Sequence, residues 1–376
     1  MDKKNLGIYI HIPFCIKKCN YCDFCSFPGT DESTRQKYVD ALCRDIAARG
    51  ELCREHRADT VYFGGGTPTL LTAAQFGQIF DALHKNFDID PTAEISAECN
   101  PATADLAYFK ALRALGVNRL SVGMQSAHDN ELAALGRVHR ADDFKRAFYD
   151  ARMAGFDNIS ADLMFGIPHQ TLDSFRKTME YLTDLSPEHI SAYGLILEEG
   201  TPFFANQKNL VLPDEETEYT MYAEAVGFLA QRGYERYEIS NFARPGSESR
   251  HNLKYWMRDE YVGLGVSAHS FLNGKRSFAP SRLDVYTGGL FEEGCEEIGE
   301  SEAMGEYVML AMRTVRGVDE NVFFRRFKKS FDGLFGDRLK PYCDGGFVVR
   351  EGGRCAFTDS GFYVSNSILS DVIDFN

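Results

Sequence analysis

The sequence lacks the features that would indicate a membrane-spanning, secreted or fibrous protein, and its composition is that of an ordinary globular protein. Its 376 residues include one tryptophan and 12 prolines. No apolar run approaches the length of about 18 residues that indicates a membrane-spanning helix. The opening residues, Met1 to Asn5, lead directly into a strand-like segment without the apolar stretch of a signal peptide. We therefore expect a cytoplasmic protein.

The sequence also has fewer basic than acidic residues. The chain has 41 lysines and arginines against 55 acidic residues, a formal net charge of −14 at pH 7. An acidic protein without a local basic patch repels a polyanion, and the sequence has no such patch, so we expect no nucleic-acid partner. Hydrophobic residues make up 44% of the chain, enough for a large core, and the length suggests about two domains.

Cysteine is the residue type that is locally concentrated. Four of the ten cysteines, Cys15, Cys19, Cys22 and Cys25, fall in one short stretch. Cytoplasmic thiols stay reduced, so clustered cysteines there are ligands more often than crosslinks. Thiolates at spacings of three, two and two residues can converge on one soft metal centre, as in iron-sulfur and zinc sites. The other six cysteines are scattered, and we expect them to be free thiols.

Short β-branched or aromatic runs alternate with amphipathic stretches in the first part of the chain. The predicted strands are Gly7–Ile12, Thr60–Phe63, Glu94–Glu98, Arg119–Met124, Asn158–Met164 and His189–Leu195. Helices are predicted at Thr34–Ala48, Ala73–Asn86, Ala104–Leu115, Ala141–Ala154, Leu172–Leu185 and Glu215–Arg232. Helices of this length connect parallel strands. Residues 1–235 are therefore predicted to form an α/β fold, a partial (β/α)6 parallel barrel.

The pattern changes after the sixth helix. Residues 236–300 are predicted to be a β-rich connecting segment with strands at Tyr237–Phe242 and Tyr261–Phe271, followed by irregular chain. Residues 301–376 are predicted to form a smaller α+β domain that resembles a winged helix. Its expected elements are a helix at Ser301–Thr314, a hairpin around residues 346–360 and a final helix.

Chemically distinctive residues follow five consecutive predicted strands. The cysteines come after the first strand and the glycine run Gly64–Gly66 after the second. Glu98, Gln125 and Asp162 lie at or near the ends of the next three. Active groups of parallel barrels lie at the carboxyl ends of strands. We therefore expect one shared site at one rim of the barrel.

The spacing Cys15-x3-Cys19-x2-Cys22, with a glycine triplet downstream, resembles the motif of radical S-adenosylmethionine (radical SAM) proteins. The resemblance implies that these three cysteines hold a 4Fe-4S cluster whose fourth iron is open to S-adenosylmethionine. It also implies cofactor-binding positions at Tyr9, Gly65, Gly66, Thr67, Glu98, Gln125, Arg137 and Asp162. The residues alone leave other interpretations open: a tight turn for the glycines, a salt-bridge network for the polar residues, and a zinc site for the four cysteines.

Further motifs are similar to one branch of that superfamily, which contains oxygen-independent coproporphyrinogen III dehydrogenase and the HemW-type heme chaperones. They include Tyr9–Cys15, Gly64–Thr69, Glu98–Pro101, Leu135–Arg137 and Asp162–Pro168.

Two features favour the chaperone over the dehydrogenase. The dehydrogenase carries a substantial extension before this region, whereas eight residues precede Tyr9 here. Its fourth cysteine also follows the third after one residue, whereas two residues separate Cys22 from Cys25.

The segment Arg250–Trp256 is similar to the chaperone signature His-Asn-x-x-Tyr-Trp. The resemblance implies heme binding, with His251 as the candidate ligand and with Trp256 and Tyr255 offering flat surface to a porphyrin. His269 is an alternative or second ligand, and a purely structural role for His251 also stays open. The implied partners are heme and heme-accepting apoproteins, including apoproteins at the membrane. The protein is also expected to form a homodimer. The alternative function is oxidative decarboxylation of coproporphyrinogen III to protoporphyrinogen IX.

Overall fold

The computed structural model describes residues 3–373, and its first part alternates strands with helices. Six strands follow one another along the chain: β1 (Lys4–Ile12), β2 (His56–Gly65), β3 (Ile89–Cys99), β4 (Arg119–Gln125), β5 (Ile159–Phe165) and β6 (His189–Gly194). The helices between them are α1 (Glu32–Leu52), α2 (Ala73–Asn86), α3 (Leu106–Leu115), α4 (Asp129–Ala134), α5 (Ala141–Met153) and α6 (Leu172–Leu185). The six predicted strands and the five predicted crossover helices are confirmed.

These six strands are hydrogen-bonded in chain order, and every neighbouring pair is parallel. The sheet continues at both edges with β7 (Glu235–Arg236), β8 (Asn241–Ala243), β9 (Tyr261–Leu264), β10 (His269–Leu272), β11 (Lys275–Phe278) and β12 (Gly294–Glu297). The order of the twelve strands is β12-β11-β10-β9-β1-β2-β3-β4-β5-β6-β8-β7. β9 is a seventh parallel strand beside β1, and the added outer strands pair antiparallel.

Three sequence predictions in this segment are wrong. The strand expected at Tyr237–Phe242 is replaced by the short strands β7 and β8, which pair antiparallel across a turn. The single strand expected at Tyr261–Phe271 is broken into β9 and β10 by a turn that begins at Gly265, whose φ is +107°. A side chain on Gly265 would come within 2.5 Å of the Tyr38 hydroxyl. The irregular chain expected after Phe271 contains β11, β12 and a short helix at Leu283–Thr287. Their outward residues are charged, as is usual for edge strands, so the apolar alternation that predicts a strand is weak.

The central strands separate an apolar face from a polar one. In β4, Leu120, Val122 and Met124 belong to the main apolar core beneath the helices. The alternate residues, Arg119 and Ser121, point to the opposite side and line the barrel interior. The barrel interior is therefore a polar cavity at this level, while the hydrophobic core lies between sheet and helices.

The rest of the chain adds helices around the barrel and a second domain. The helices are α7 (Pro202–Ala205), α8 (Glu215–Gln231), α9 (Arg250–Trp256), α10 (Leu283–Thr287), α11 (Glu300–Ala311), α12 (Glu320–Phe327), α13 (Phe331–Asp344), α14 (Asp359–Tyr363) and α15 (Ser365–Val372). A small antiparallel sheet has the order β13 (Val318–Asp319), β15 (Arg354–Phe357), β14 (Val348–Glu351). The predicted helix, hairpin and terminal helices are present.

This C-terminal region has its own apolar core, formed by buried residues between Tyr307 and Ile373. Polar contacts fix it to the barrel side: Arg258 Nε donates to Glu306 Oε2 over 2.7 Å, and the Ile239 amide donates to the Arg313 carbonyl over 3.0 Å. Within residues 3–373 no helix is both long and apolar enough to cross a membrane.

Candidate cofactor site

A cavity of about 370 Å³ opens at the carboxyl ends of the parallel strands. We call it the cluster cavity. Ten of the predicted site residues line it: Cys15, Cys19, Cys22, Gly65, Gly66, Thr67, Glu98, Gln125, Arg137 and Asp162. Residues from the loop after β1 and from strands β2 to β5 therefore meet at one rim, as the parallel topology requires.

The cysteine loop is held against the barrel by backbone contacts. The amide of Asn20 donates to the Leu135 carbonyl over 3.0 Å, and its side-chain nitrogen donates to the Ala134 carbonyl over 2.9 Å. Gly136 permits this approach, because its φ is +75° and a side chain there would lie about 3.0 Å from Asn20. The end of α4 thus positions the loop between the second and third cysteines, Cys19 and Cys22.

The three motif cysteines have surroundings that suit metal-bound thiolates. Arg137 Nη1 lies 3.7 Å from Cys19 Sγ, and the Thr67 hydroxyl lies 3.9 Å from Cys15 Sγ. Burial raises the pKa of Cys22 to about 11 and raises the pKa of Cys15. A metal displaces such protons, and a nearby guanidinium favours the thiolate form.

All ten cysteines lie within the described residues, and none is in a disulfide. In residues 3–373 no three histidine, cysteine or acidic side chains are grouped closely enough to hold one metal ion. A cluster with several irons takes each thiolate on a separate iron, and three thiols on the wall of one cavity fit that donor set.

The glycine run after β2 packs directly under the cysteine loop. Gly66 donates its amide to the Ile12 carbonyl over 2.9 Å, and a Cβ there would lie 2.6 Å from the Phe14 carbonyl oxygen. Gly65 has a φ of +110°, and a Cβ would lie 2.4 Å from the His11 ring. Glycine is therefore required at both positions for the backbone to reach the cavity wall.

Glu98, an acidic residue at the end of β3, has no cationic partner among residues 3–373. The Tyr62 hydroxyl donates to one of its oxygens over 2.9 Å and the Gly65 amide to the other over 3.1 Å. Burial raises the pKa of Glu98 to about 7, and the nearby Asp162 adds to the rise. A bound cation would reverse that effect, so the carboxylate suits the ammonium group of S-adenosylmethionine.

Gln125 and Arg137 meet beside Gly123. Gln125 has a φ of +68°, a strained value for a residue other than glycine, and such strain concentrates at functional sites. A Cβ on Gly123 would lie 2.9 Å from Gln125 Nε2 and 3.0 Å from Arg137 Nη2. The Arg137 guanidinium also donates to the Gly123 carbonyl over 3.0 Å. The expected pairing of Arg137 with the carboxylate of the methionine moiety stays a prediction.

Sequence reasoning predicted Asp162 but missed two polar residues beside it in the cavity, Ser121 and Arg119. Asp162 accepts hydrogen bonds from the Ser121 hydroxyl at 3.0 and 3.2 Å, and burial raises its pKa. Arg119 also lines the cavity, is 2% exposed, and its Nε has no hydrogen-bond partner among the described residues. The signal was present in the predicted strand Arg119–Met124, where polar residues occupy alternate positions.

Tyr9 lies on a neighbouring cavity, also of about 370 Å³, which we call the side cavity. Its hydroxyl is 2.9 Å from His11 Nδ1, and His11 Nε2 is 2.8 Å from the Cys25 carbonyl oxygen. Cys25 lines the side cavity and not the cluster cavity, and its thiol donates to the Ser281 carbonyl over 3.4 Å. The two cavities share Phe24, Gly65 and Glu98.

His251 is buried inside the protein, in the first turn of α9. Its Nδ1 lies 2.8 Å from the Thr60 hydroxyl and its Nε2 lies 2.9 Å from the Tyr255 hydroxyl. Burial lowers the pKa of His251 to about 3. Both ring nitrogens are engaged, so binding of heme iron would require loss of one of these hydrogen bonds. Trp256 ends the same helix and is half-buried.

Two parts of the chain match known families. Residues 9–182 match the Radical SAM superfamily, and residues 300–364 match the HemN C-terminal domain. Fold and site therefore define a radical SAM protein, a class that implies S-adenosylmethionine and a 4Fe-4S cluster.

Similarity to curated proteins extends over nearly the whole chain. Heme chaperone HemW of Bacillus subtilis (strain 168) is 34% identical over 371 residues, which cover 96% of this chain and 97% of that protein. Heme chaperone HemW of Escherichia coli (strain K12) is 30% identical over 377 residues, 97% of each chain. The chain belongs to the HemW heme chaperone family, as the sequence motifs predicted.

A solved structure has the same overall fold. Coproporphyrinogen III oxidase (HemN) from Escherichia coli, a radical SAM enzyme, superposes with a TM-score of 0.87 at 25% identity, over 100% of this chain and 92% of that one. The mixed sheet and the C-terminal domain are therefore common to the oxidase and to this chain.

Proposed function

We propose that this protein is a heme chaperone, which binds heme and delivers it to heme-accepting apoproteins. The observation that carries the proposal is the similarity to proteins named Heme chaperone HemW, 30 to 34% identical over 96 to 97% of this chain. That similarity includes the segment Arg250–Trp256 and both domains.

The rival function is coproporphyrinogen III oxidation, and the observation that favours it is the fold shared with HemN. A shared fold carries less weight than shared sequence, because one scaffold supports several activities and function depends on the site. The two proposals differ in what happens to the porphyrin: a chaperone releases it unchanged, and an oxidase decarboxylates it.

In either case we assign the cluster cavity to the cofactors. Cys15, Cys19 and Cys22 hold the 4Fe-4S cluster, and the half-buried guanidinium of Arg137, 3.7 Å from Cys19 Sγ, stabilises its negative charge. A 4Fe-4S cluster with S-adenosylmethionine at its open iron supplies one-electron reducing chemistry.

The chain positions S-adenosylmethionine through the remaining wall of the cavity. Gly65, Gly66 and Thr67 bring the backbone to the methionine end, and Glu98 supplies a carboxylate for its ammonium group. Asp162 is oriented by Ser121 and is available to ribose hydroxyls or to a second positive group. Tyr9 borders this site across Gly65 and Glu98, which line both cavities.

The finer features of the chaperone function are also proposals. The recipients are membrane or respiratory apoproteins, and the protein acts in the cytoplasm. The cluster and S-adenosylmethionine control heme transfer or formation of a homodimer and are not consumed in a reaction of their own.

One comparison separates the two functions. Anaerobically reconstituted full-length protein is incubated with heme, and in a parallel sample with coproporphyrinogen III, S-adenosylmethionine and a reductant. We expect a stoichiometric heme absorbance spectrum, transfer of that heme to an apoprotein acceptor, and unchanged coproporphyrinogen III. Conversion of coproporphyrinogen III to protoporphyrinogen IX would overturn the chaperone proposal.

A further inference from the structure

The side cavity has the walls of a site for a flat aromatic ligand. Tyr9, Tyr255 and Tyr261 line it, and the Tyr255 and Tyr261 rings pack edge to face with centroids 4.7 Å apart. Aromatic walls of this kind bind planar ring systems through stacking and apolar contact. The cavity adjoins the cluster cavity along Gly65 and Glu98.

The position of this cavity follows from the seventh parallel strand. β9 pairs in parallel with β1, with Gly7 opposite Tyr261 and Ile10 opposite Leu264. Its carboxyl end therefore opens on the same rim as the cysteine loop. The turn after β9 leads to His269, the first residue of β10, which lies on the wall of the side cavity.

His269 differs from the other histidines near the two cavities in its free ring nitrogens. His11, His189 and His251 each have both nitrogens in hydrogen bonds. The exposed ring of His269 has no hydrogen bond within residues 3–373, and its centroid lies 5.6 Å from that of the Phe278 ring. A neutral imidazole with a free nitrogen is a common ligand of heme iron.

The mouth of the side cavity combines apolar surface with positive charge. Phe24 is 60% exposed, an unusual state for a phenylalanine beside a buried site. The ammonium group of Lys18, which lines the cluster cavity, donates to the carbonyl of Phe24 over 3.0 Å and so holds a cation next to a residue that both cavities share. An apolar edge next to a cation matches a porphyrin, whose macrocycle is apolar and whose propionates are anionic.

We propose that the side cavity is the heme-binding cavity and that His269, and not His251, is the axial ligand of the heme iron. In this arrangement one edge of the macrocycle would lie against Tyr255 and Tyr261, and the opposite edge would stay outside at Phe24. The proposal rests on the proposed chaperone function. An open cavity of this kind also suits a carrier, because a partly exposed heme can pass to a second protein.

The test is a heme titration of the full-length protein and of single variants, followed by absorbance. The variants are His269→Ala, His251→Ala, Cys25→Ser and, as a matched control, His84→Ala, an exposed histidine of α2 outside both cavities. We expect His269→Ala to weaken heme binding at least tenfold and to shift the Soret band, and added imidazole to restore the band position. The other three variants should keep the wild-type Soret band.

The exposed position of His269 makes a folding defect in the variant unexpected, and the far-UV circular dichroism melt checks this directly. A second variant, Phe24→Ser, should weaken heme binding without a change in the Soret band, because it alters the rim and not the ligand. A wild-type spectrum and affinity in His269→Ala, or a spectral change confined to His251→Ala or Cys25→Ser, would overturn the assignment. If the wild-type protein takes up no heme, the chaperone function fails and the assignment fails with it.

Discussion

The Nδ1 atom of His251 and the hydroxyl of Thr60 lie 2.8 Å apart in the buried interior, although 191 residues separate them in the sequence. The backbone amide of His251 also donates to Glu94 Oε1 over 3.1 Å. These contacts fasten helix α9 to strands β2 and β3. The motif at Arg250–Trp256 therefore has a structural role in this molecule, independent of any role in heme binding.

Removing the Thr60 hydroxyl tests that role. Thr60→Val keeps the shape of the side chain and leaves His251 Nδ1 buried without a partner, so we expect the free energy of unfolding to fall by about 1–3 kcal/mol. Urea denaturation measures the change. The control is Thr92→Val, at an exposed position of β3, where we expect a change within about 0.5 kcal/mol. An unchanged midpoint in Thr60→Val would mean that this contact does not stabilise the fold.

Replacing Gly66 tests the packing of the glycine run under the cysteine loop. In Gly66→Ala the new Cβ would meet the Phe14 backbone at 2.6 Å, so the loop must shift. We expect the free energy of unfolding to fall by about 1–3 kcal/mol, with weaker binding of S-adenosylmethionine. Calorimetry measures both effects.

The matched control is Gly227→Ala in the interior of α8, where a Cβ has no neighbour within 4 Å. That substitution should instead stabilise the protein, by up to about 1 kcal/mol, because alanine favours helix. Equal effects of the two substitutions would contradict the steric argument.

The cluster assignment predicts that Cys19→Ser abolishes the charge-transfer absorbance of anaerobically reconstituted protein. A serine hydroxyl is a poor replacement for a thiolate on iron. Cys43→Ser is the control: this half-buried thiol of α1 donates to the Gln78 carbonyl, 3.6 Å away, and lies outside both cavities. Retention of the full absorbance by Cys19→Ser, or zinc in place of iron in the purified protein, would contradict the prediction.

Because the carboxyl group of Glu238 is buried, we expect the stability of the protein to depend on pH. The side chain is fully buried at the bridge between Glu238 and Thr314, and burial raises its pKa to about 7. The folded state therefore holds a proton that the unfolded state has lost, so this contribution to stability is complete below about pH 4.5 and is lost as the pH rises through 7. The rise of this pKa from the ordinary glutamate value to about 7 corresponds to about 3 kcal/mol.

Glu238→Gln should remove the loss of stability that deprotonation of Glu238 causes as the pH rises. We expect the unfolding free energy of the variant, relative to wild type, to rise by up to about 3 kcal/mol between pH 4.5 and 7. The unfolding free energy of both proteins will still fall with rising pH, because burial also raises the pKa of Glu98 to about 7. Glu98 therefore contributes a pH dependence of the same sign as Glu238. Glu235→Gln, at an exposed neighbour, is the control. Parallel pH profiles for wild type and Glu238→Gln would disprove the prediction.

Much of the fold was predictable from local patterns. The alternation of short apolar runs with amphipathic segments predicted six parallel strands and their crossover helices, and the helix Leu172–Leu185 was predicted at the bounds observed. Parallel strands bury both faces, so their patterns are strong. The edge strands β10 to β12 carry charged and small residues, and for them the pattern was too weak to predict the boundaries.

The sequence by itself was enough to indicate the radical SAM family and the cofactors it implies, because the spacing of three cysteines and the glycine run are properties of neighbouring residues. It did not reveal that β9 lies beside β1 or that both ring nitrogens of His251 are hydrogen-bonded. Nor did it reveal that the ring nitrogens of His269 have no hydrogen-bond partner in the described part of the chain. Those facts depend on contacts between residues that are far apart in the chain. Only the tertiary structure decides them, since hydrogen bonding and burial are set by which surfaces meet when the chain folds.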